Sequence, residues 1–204
     1  MLSEHQRKKR DLEARQYQDE LVARQYKAWV YPQPTPDISE FVKQYYDLFD
    51  QSLFRRKLWP RKIEPENLSI LIAGCGANQA AHYAFTNPNP QVLGIDVSDS
   101  SLGHEAHLKQ KHRLDNLELL QMSLGEIGSL GRTFDLIVCT GVLHHLTDPD
   151  AGLRCLRDVL KPHGVISIML YGSFPRVGVY MLQEVFRLLG LKQDAEGKIG
   201  RAHV

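Results

Sequence analysis

The stretch that decides the fold is Ile70-Leu-Ile-Ala-Gly-Cys-Gly-Ala-Asn-Gln79. It reads as an apolar strand that runs into a glycine turn, and such a turn lets the backbone come close to a ligand. A second apolar strand, Val92-Leu-Gly-Ile-Asp96, places a carboxylate 20 residues after Gly76, where a ribose-binding acid is expected. Asp96 could instead cap a helix with the help of Ser98, but the upstream glycine turn favours ribose binding. The two strands predict a nucleoside cofactor.

A second pair of segments completes the pattern: Phe134-Asp-Leu-Ile-Val-Cys-Thr-Gly-Val-Leu-His-His-Leu146 and Leu160-Lys-Pro-His-Gly-Val-Ile-Ser-Ile168. Apolar runs lie at 69–73, 92–95, 117–121, 135–139 and 165–171, and helical patterns lie near 79–85, 99–113 and 149–160. Strands that alternate with helices are joined by right-handed crossovers into a parallel sheet covered on both faces. The sequence therefore predicts an α/β fold, a Rossmann-like doubly wound sheet with five recognisable parallel strands. Its ligand is expected at the carboxyl ends of those strands.

The composition indicates a soluble domain with accessory segments. The chain has 204 residues, 43% of them hydrophobic, and a formal net charge of +1. This length is typical of one domain, and the near-neutral charge argues against general attraction to nucleic acid or membranes. The charged start excludes a secretory signal, and no apolar stretch is long enough to span a bilayer. Cys75, Cys139 and Cys155 are far apart, which favours reduced thiols and a cytoplasmic location.

The sequence divides into four parts: residues 1–38, 39–66, 67–198 and 199–204. The first holds a charged helix and a proline-rich connector, and the second an accessory helix that Asp37 or Ser39 could cap. The third is the cofactor-binding domain. The last part, Ile-Gly-Arg-Ala-His-Val, reads as a translation of ATC GGA AGA GCA CAC GTC, a string that resembles a sequencing adapter. We therefore expect a non-native tail that takes no part in the fold.

The last helical pattern, near 178–190, has an apolar stripe at helical spacing. Its members are Tyr180, Met181, Val185, Leu188 and Leu189. Such a stripe is more often core than a ligand-binding surface, so we expect this helix to bury it.

The two halves of the pattern, in this order, resemble the class I S-adenosylmethionine-dependent methyltransferases, near the group called methyltransferase type 11. The resemblance lies in the glycine turn, the strand ending at Asp96, the Gly-Val-Leu-His-His-Leu turn that starts at Gly141, and the Asp148-Pro149 helix start. It also includes the Leu-Lys-Pro-His-Gly-Val approach to the last strand, and the aromatic-proline element Gln25–Pro32 looks like a segment that precedes the fold in some relatives. The family's sheet closes with two further antiparallel strands. The sequence offers none after Leu170, so the resemblance implies an incomplete domain, truncated at its C-terminus.

The resemblance implies S-adenosyl-L-methionine as the cofactor, bound across the ends of four strands. The cofactor-binding residues that it implies are Ala73, Gly74, Gly76, Asp96, Val97, Ser123, Leu124, Thr140 and Gly141. The glycine turn would let the backbone contact the methionine part, and the carboxylate after the second strand would bind the ribose hydroxyls. Ser123 and Leu124 would border the adenine, and Thr140 with Gly141 would line the methionine amino end.

His144 and His145 are the catalytic candidates, since the resemblance implies that one of them faces the acceptor. Methyl transfer from a sulfonium needs little acid–base help, so the pair marks the site first and supplies a base second. One ring could instead pack among the helices while the other is merely exposed. The remaining candidates for metal binding are scattered, and no metal site is predicted; they are His104, His107, His112 and His163.

Three positions depart from the family pattern. Ile72 and Ser123 stand where the family usually has acids, and a serine hydroxyl accepts a hydrogen bond without the gain that a charge brings. Asn78 replaces a common glycine, but asparagine tolerates the left-handed conformation. We expect these changes to weaken cofactor binding rather than abolish it.

The sequence predicts methyl transfer to an unidentified small-molecule acceptor, and three alternatives stay open. One is a catalytically silent cofactor-binding or scaffold protein, suggested by Ile72 and Ser123. Another is an RNA methyltransferase, suggested only by the basic cluster Arg55–Lys62. The third, an NAD-dependent oxidoreductase, is disfavoured because Gln79 stands where the nicotinamide fingerprint needs a third glycine. The oligomeric state does not follow from the sequence.

Overall fold

The computed structural model describes residues 34–45, 68–172 and 174–190. The expected N-terminal helix, the element Gln25–Pro32, the basic cluster Arg55–Lys62 and the adapter-like tail lie outside these residues. Among the helices of the described ranges, none is both long and apolar enough to cross a membrane.

The described strands form one five-stranded sheet in the order β3-β2-β1-β4-β5, with every neighbouring pair parallel. The strands are β1 (Ser69–Ala73), β2 (Gln91–Asp96), β3 (Leu117–Gln121), β4 (Phe134–Thr140) and β5 (Leu160–Met169). Strand order reverses between β1 and β4, as in a doubly wound sheet. The predicted fold class is therefore confirmed.

The described residues contain five α-helices: α1 (Ile38–Tyr45), α2 (Gln79–Thr86), α3 (Asp99–His112), α4 (Pro149–Asp158) and α5 (Val177–Leu188). Short 3₁₀ helices span Leu124–Leu130, Leu143–His145 and Phe174–Arg176. Local signals set several boundaries, since Ser98 and Asp148 cap α3 and α4 through their side chains. The three central helices fall within a few residues of their predicted positions.

Both faces of the central strands β1, β2 and β4 are buried. Ile70 and Ile72 of β1 belong to one core cluster, whereas Leu71 and Ala73 belong to the other. This alternation follows from the two-residue period of a strand. Residues of α1, α2 and α3 complete the first cluster, and residues of α4 and the two 3₁₀ helices before it complete the second.

Strand β5 begins earlier than its predicted start at residue 165. Phe134 pairs with Leu160 and Leu136 with Val165, so a bulge of β5 residues opposes one residue of β4. The bulge contains Pro162, which has no N–H group to donate to a ladder and is tolerated in strands mainly at edges and bulges. The proline hid this first part of the strand from sequence reasoning.

Helix α1 is anchored to the sheet domain. Asp37 caps it, because its Oδ1 accepts a hydrogen bond from the Ser39 N–H at 2.8 Å, which selects one of the two predicted caps. Its apolar side is buried through Ile38 and Val42. The remaining part of the predicted accessory helix, residues 46–66, lies outside the described residues.

The chain separates into two compact units, the first ending at Met169 and the second beginning at Leu170. In the second, the Arg176 guanidinium lies 4.2 Å from the ring centroid of Tyr171. The expectation that α5 buries its apolar stripe is wrong, since none of its residues is buried and Met181 is 66% exposed.

Candidate cofactor site

The predicted site residues follow the carboxyl ends of four adjacent strands. Because parallel strands end at one edge of the sheet, the segments after β1, β2, β3 and β4 lie side by side. The neighbours β1 and β4 flank the point where strand order reverses, which is where doubly wound sheets bind ligands. The topology therefore brings the predicted residues to one edge, which we call the carboxyl edge.

The glycine turn after β1 is held by hydrogen bonds to β2. The N–H groups of Gly74 and Cys75 both donate to the Ile95 carbonyl oxygen, at 2.8 and 2.9 Å. Gly74 has a φ of +73°, and a Cβ at this position would overlap a methyl group of Val142. Gly74 is thus required both by its left-handed backbone and by packing.

Asp96 joins the glycine turn to the end of β2. Its Oδ2 accepts a hydrogen bond from the Gly76 N–H at 2.8 Å, and its Oδ1 accepts one from the Ser98 N–H at 2.9 Å. Burial raises the pKa of Asp96, and backbone N–H groups of Ser98, Gly76 and Val97 offset only part of this effect. Ser98 in turn caps α3, accepting a hydrogen bond from the Ser101 N–H at 3.3 Å. Asp96 therefore organises two turns and still presents a partly exposed carboxylate.

The segment after β3 carries an acid that sequence reasoning missed. The backbone N–H and the hydroxyl of Ser123 both donate to Oε2 of Glu126, at 2.8 and 2.7 Å. These hydrogen bonds lower the pKa of Glu126. A carboxylate therefore lies beside position 123 although that residue is a serine. The spacing Ser-x-x-Glu is a capping box and could have revealed it.

Leu124 and Val97 provide apolar surface close to the same edge. Leu124 is buried in the core below the segment after β3, whereas Val97 is 42% exposed. The Val97 carbonyl oxygen accepts a hydrogen bond from the Gln121 side chain at 3.1 Å, which ties the ends of β2 and β3 together.

The end of β4 is tied to its neighbours on both sides. Gln79 donates through Nε2 to the Thr140 hydroxyl at 3.3 Å, and the Gly141 N–H donates to the Met169 carbonyl oxygen at 3.1 Å. Gly141 has a φ of +73°, so a glycine is favoured here as well. Gln79, which argued against a dinucleotide fingerprint, thus bridges the segments after β1 and β4.

The histidine pair lies on the 3₁₀ turn Leu143–His145, next to the glycine turn. The His145 N–H donates to the Val142 carbonyl oxygen at 2.9 Å, and the Val142 side chain packs against Gly74. The ring centroids lie 4.2 Å apart, and both ring nitrogens of His144 are buried. The pair therefore borders the edge where the other predicted residues meet.

Asn78 does not adopt the left-handed conformation that we expected, since its φ is −142°. A negative φ is open to residues with a side chain, so glycine is not needed there. Its Oδ1 accepts a hydrogen bond from the Thr35 N–H at 2.8 Å, and the Thr35 carbonyl oxygen is 3.0 Å from a ring nitrogen of His104. Asn78 thus ties the segment before α1 to the glycine turn.

A second acid that the sequence did not reveal is Glu105. It is fully buried within α3, and its two carboxylate oxygens accept hydrogen bonds from the N–H groups of Ala80 and Ala81. Burial raises the pKa of Glu105 to about 8. No local motif announces this contact, since it joins residues 24 and 25 positions apart in sequence.

Comparison with protein families identifies the domain. Residues 71–166 match the family model of a methyltransferase domain. The chain is 38% identical over 122 residues to an uncharacterised protein of Synechococcus sp., covering 59% of this chain and 29% of that protein. It is 29% identical over 146 residues to the tRNA 5-carboxymethoxyuridine methyltransferase of Escherichia coli K12, covering 67% of this chain and 56% of that enzyme. The chain thus spans about a third to a half of these curated relatives.

Solved structures share the fold. PKMT2 from Rickettsia typhi in complex with AdoHcy superposes with a TM-score of 0.59 at 23% identity, over 66% of this chain and 28% of that chain. Coclaurine N-methyltransferase, bound to N-methylheliamine and SAH, superposes with a TM-score of 0.50 at 18% identity, over 68% of this chain and 39% of that chain.

Proposed function

Through residues 71–166 this chain belongs to the class I methyltransferases, whose methyl donor is S-adenosylmethionine, and we propose that it transfers that methyl group to a small-molecule acceptor. The observation that carries the proposal is the carboxylate of Asp96, held against the glycine turn at the point where strand order reverses. This is the position at which doubly wound folds bind nucleoside cofactors.

The groups at the carboxyl edge fit such a cofactor. A carboxylate can accept about four hydrogen bonds, and the Gly76 and Ser98 N–H groups supply two to Asp96, so ribose hydroxyls can still donate to it. The N–H groups of Gly74 and Cys75 are already bonded to Ile95. The turn would therefore meet the methionine part with its Cα atoms and carbonyl groups.

The segments after β3 and β4 would bind the two ends of the cofactor. Val97 and Leu124 would border the adenine, and the Glu126 carboxylate beside Ser123 would replace the acid that the family usually has at that position. Thr140 and Gly141 would line the methionine amino end. With Glu126 in this place, the weakening expected from Ser123 is smaller than the sequence alone predicts.

Methyl transfer requires little acid–base chemistry from the residues at this edge. S-adenosylmethionine supplies an electrophilic methyl group on a positively charged sulfur. The protein has to align an acceptor lone pair with the bond that breaks and exclude water, and these effects can supply most of the rate. His144 and His145 would border the acceptor, and His145 is the better placed to take the proton that it releases, because both ring nitrogens of His144 are buried.

An RNA acceptor is the second candidate. The relative from Escherichia coli is a tRNA methyltransferase, and its match covers two-thirds of this chain. Incubation with radiolabelled S-adenosylmethionine and either bulk tRNA or a metabolite extract separates the two candidates. Label in tRNA would contradict the small-molecule proposal.

Calorimetric titration tests the cofactor assignment. We expect binding of S-adenosylmethionine and S-adenosylhomocysteine, and none of NAD. Binding without label transfer to either acceptor pool would favour the catalytically silent alternative. Absence of binding to both sulfur compounds would refute the proposal.

A further inference from the structure

Helix α2, which follows the glycine turn, is not capped by its own first residue. Asn78 occupies the N-cap position, but its side chain makes no capping hydrogen bond, because its Oδ1 accepts from the Thr35 N–H instead. An N-cap side chain normally accepts from the second or third N–H group of the helix. Those two groups belong to Ala80 and Ala81, so their acceptor has to come from elsewhere.

Glu105 supplies that acceptor from α3. Its Oε1 accepts from the Ala80 N–H at 2.9 Å, and its Oε2 accepts from the Ala81 N–H at 2.8 Å. The side chain is completely buried, so no water can replace it.

The start of α2 is in turn joined to the glycine turn. The N–H of Gln79, the residue before Ala80, donates to the Cys75 carbonyl oxygen at 3.2 Å. Between Cys75 and Gln79 lies Gly76, whose N–H donates to Asp96. Glu105 thus holds the helical end of the segment that places Gly76 against the ribose-binding carboxylate.

We propose that Glu105 is the positioning residue of the cofactor turn: it caps α2 in place of Asn78 and fixes the turn so that Gly76 holds Asp96. Its burial keeps it from touching a ligand, so it acts through the first turn of α2 and the glycine turn before it. The titratable groups that act on it are Cys75 and Asp96, whereas α2 contributes only backbone N–H groups to it. The effect on cofactor affinity rests on the proposed function, but the effect on the turn does not.

The test compares E105A, E105D and E105Q with the wild-type chain, at a temperature where circular dichroism shows each to be folded. Titration with S-adenosylhomocysteine should give a Kd about tenfold weaker for E105A, since a buried N–H group left without its acceptor costs about that factor. E105D should recover part of the affinity, because it keeps the carboxylate. The affinity of E105Q should lie between those of E105A and E105D. Its amide oxygen can accept from one N–H group, but its NH₂ group faces the other.

D135N is the matched control. Asp135 is also a buried carboxylate that accepts backbone and side-chain hydrogen bonds, but it lies at the opposite edge of the sheet. The D135N variant should bind S-adenosylhomocysteine with the wild-type affinity. Equal weakening in D135N and E105A would overturn the proposal, because general destabilisation would then account for both.

Hydrogen exchange of the Gly76 amide provides a readout that needs no ligand. The amide should exchange faster in E105A than in the wild type, relative to core amides of β4, and at the wild-type rate in D135N. If the wild type binds no S-adenosylhomocysteine, the proposed function fails and this exchange rate alone decides the role of Glu105. Unchanged Gly76 exchange in E105A would overturn the proposal in either case.

Discussion

The carboxylates at the two edges of the sheet have pKa values shifted in opposite directions. At the amino edge, Asp135 accepts hydrogen bonds from the Lys161 ammonium at 2.7 Å and from the N–H and hydroxyl of Ser69, both at 2.8 Å. Burial alone would raise the pKa of Asp135, but these partners outweigh burial and the pKa lies below its usual value. At the carboxyl edge, burial dominates and raises the pKa of Asp96 and Glu105.

The difference distinguishes Asp135, a structural carboxylate, from Asp96 and Glu105, which belong to the proposed cofactor site. Asp135 has a cation and therefore stabilises the fold when ionised. Asp96 and Glu105 accept hydrogen bonds from backbone N–H groups and not from a cation, so the fold bears part of the cost of burying their charge. Such local costs are expected at functional sites.

The largest expected effect comes from G74A at the carboxyl edge. A left-handed backbone and overlap with Val142 should together cost about 3–4 kcal/mol of unfolding free energy. S-adenosylhomocysteine binding should also be lost. Urea unfolding and calorimetry measure the two effects.

G103A is its control. Gly103 lies within α3, and an added Cβ would meet no neighbouring atom within 4 Å. Because alanine favours helix over glycine, G103A should gain about 0.5–1 kcal/mol. A loss of unfolding free energy in G103A, or a G74A variant as stable as the wild type, would contradict this account of the turn.

The pH dependence of stability should distinguish Glu105 from the other carboxylates. Its pKa is raised from 4.5 to about 8 in the folded chain, so the folded state binds more protons than the unfolded state between these values. Stability is therefore full below pH 4.5 and falls as pH rises towards 8, by up to about 1.4 kcal/mol per pH unit. The fall should vanish in E105Q. Thermal melts from pH 5 to 9 would show it, and parallel curves for both proteins would refute it.

At the amino edge, the contribution of Asp135 to stability should depend on pH in the opposite sense. Loss of the carboxylate should cost about 2 kcal/mol at neutral pH, because Lys161 keeps its charge without this partner. The pKa of Asp135 is lowered, so its stabilisation is present above the unfolded value and is lost as pH falls through the folded one. Urea unfolding of the two proteins should therefore converge in acid. A constant difference down to pH 2 would be inconsistent with the ion pair.

Of these variants, D96N should change the free energy of unfolding least. Its main effect should be on the affinity for S-adenosylhomocysteine. Asparagine keeps one acceptor oxygen but removes the charge, which should weaken S-adenosylhomocysteine binding about tenfold to a hundredfold. The control is D99N, since Asp99 is an exposed residue in the first turn of α3. Calorimetry should give D99N the wild-type affinity. Equal affinities for D96N and the wild type would remove Asp96 from the site.

Sequence patterns predicted the parts of the structure that depend on neighbours along the chain. The apolar strands, the glycine turn and the acid at the end of β2 each follow from local periodicity or backbone preference. Their shared edge follows from the crossover rule, since parallel strands end together. The position of Asp96 was therefore predictable.

Contacts between distant segments were not predictable in this way. Glu105 stands between His104 and Ala106 on a helix with little amphipathic pattern, so no sequence pattern predicts that it is buried against α2. The link from Asn78 to Thr35 depends on how the segment before α1 lies across α2 and α3. The bulge of β5 was hidden because Pro162 interrupts the strand pattern.

The thiol of Cys75 gives the glycine turn a built-in chemical reporter. It is 2% exposed, and burial raises its pKa well above the ordinary value. Alkylating reagents attack the thiolate, so iodoacetamide can modify this cysteine only during brief openings of the turn. A bound molecule that holds the turn shut must slow that modification, whereas the partly exposed Cys155 serves as an internal reference. Mass spectrometry of the two labelled peptides would thus count openings in any mixture of small molecules, before an acceptor is known.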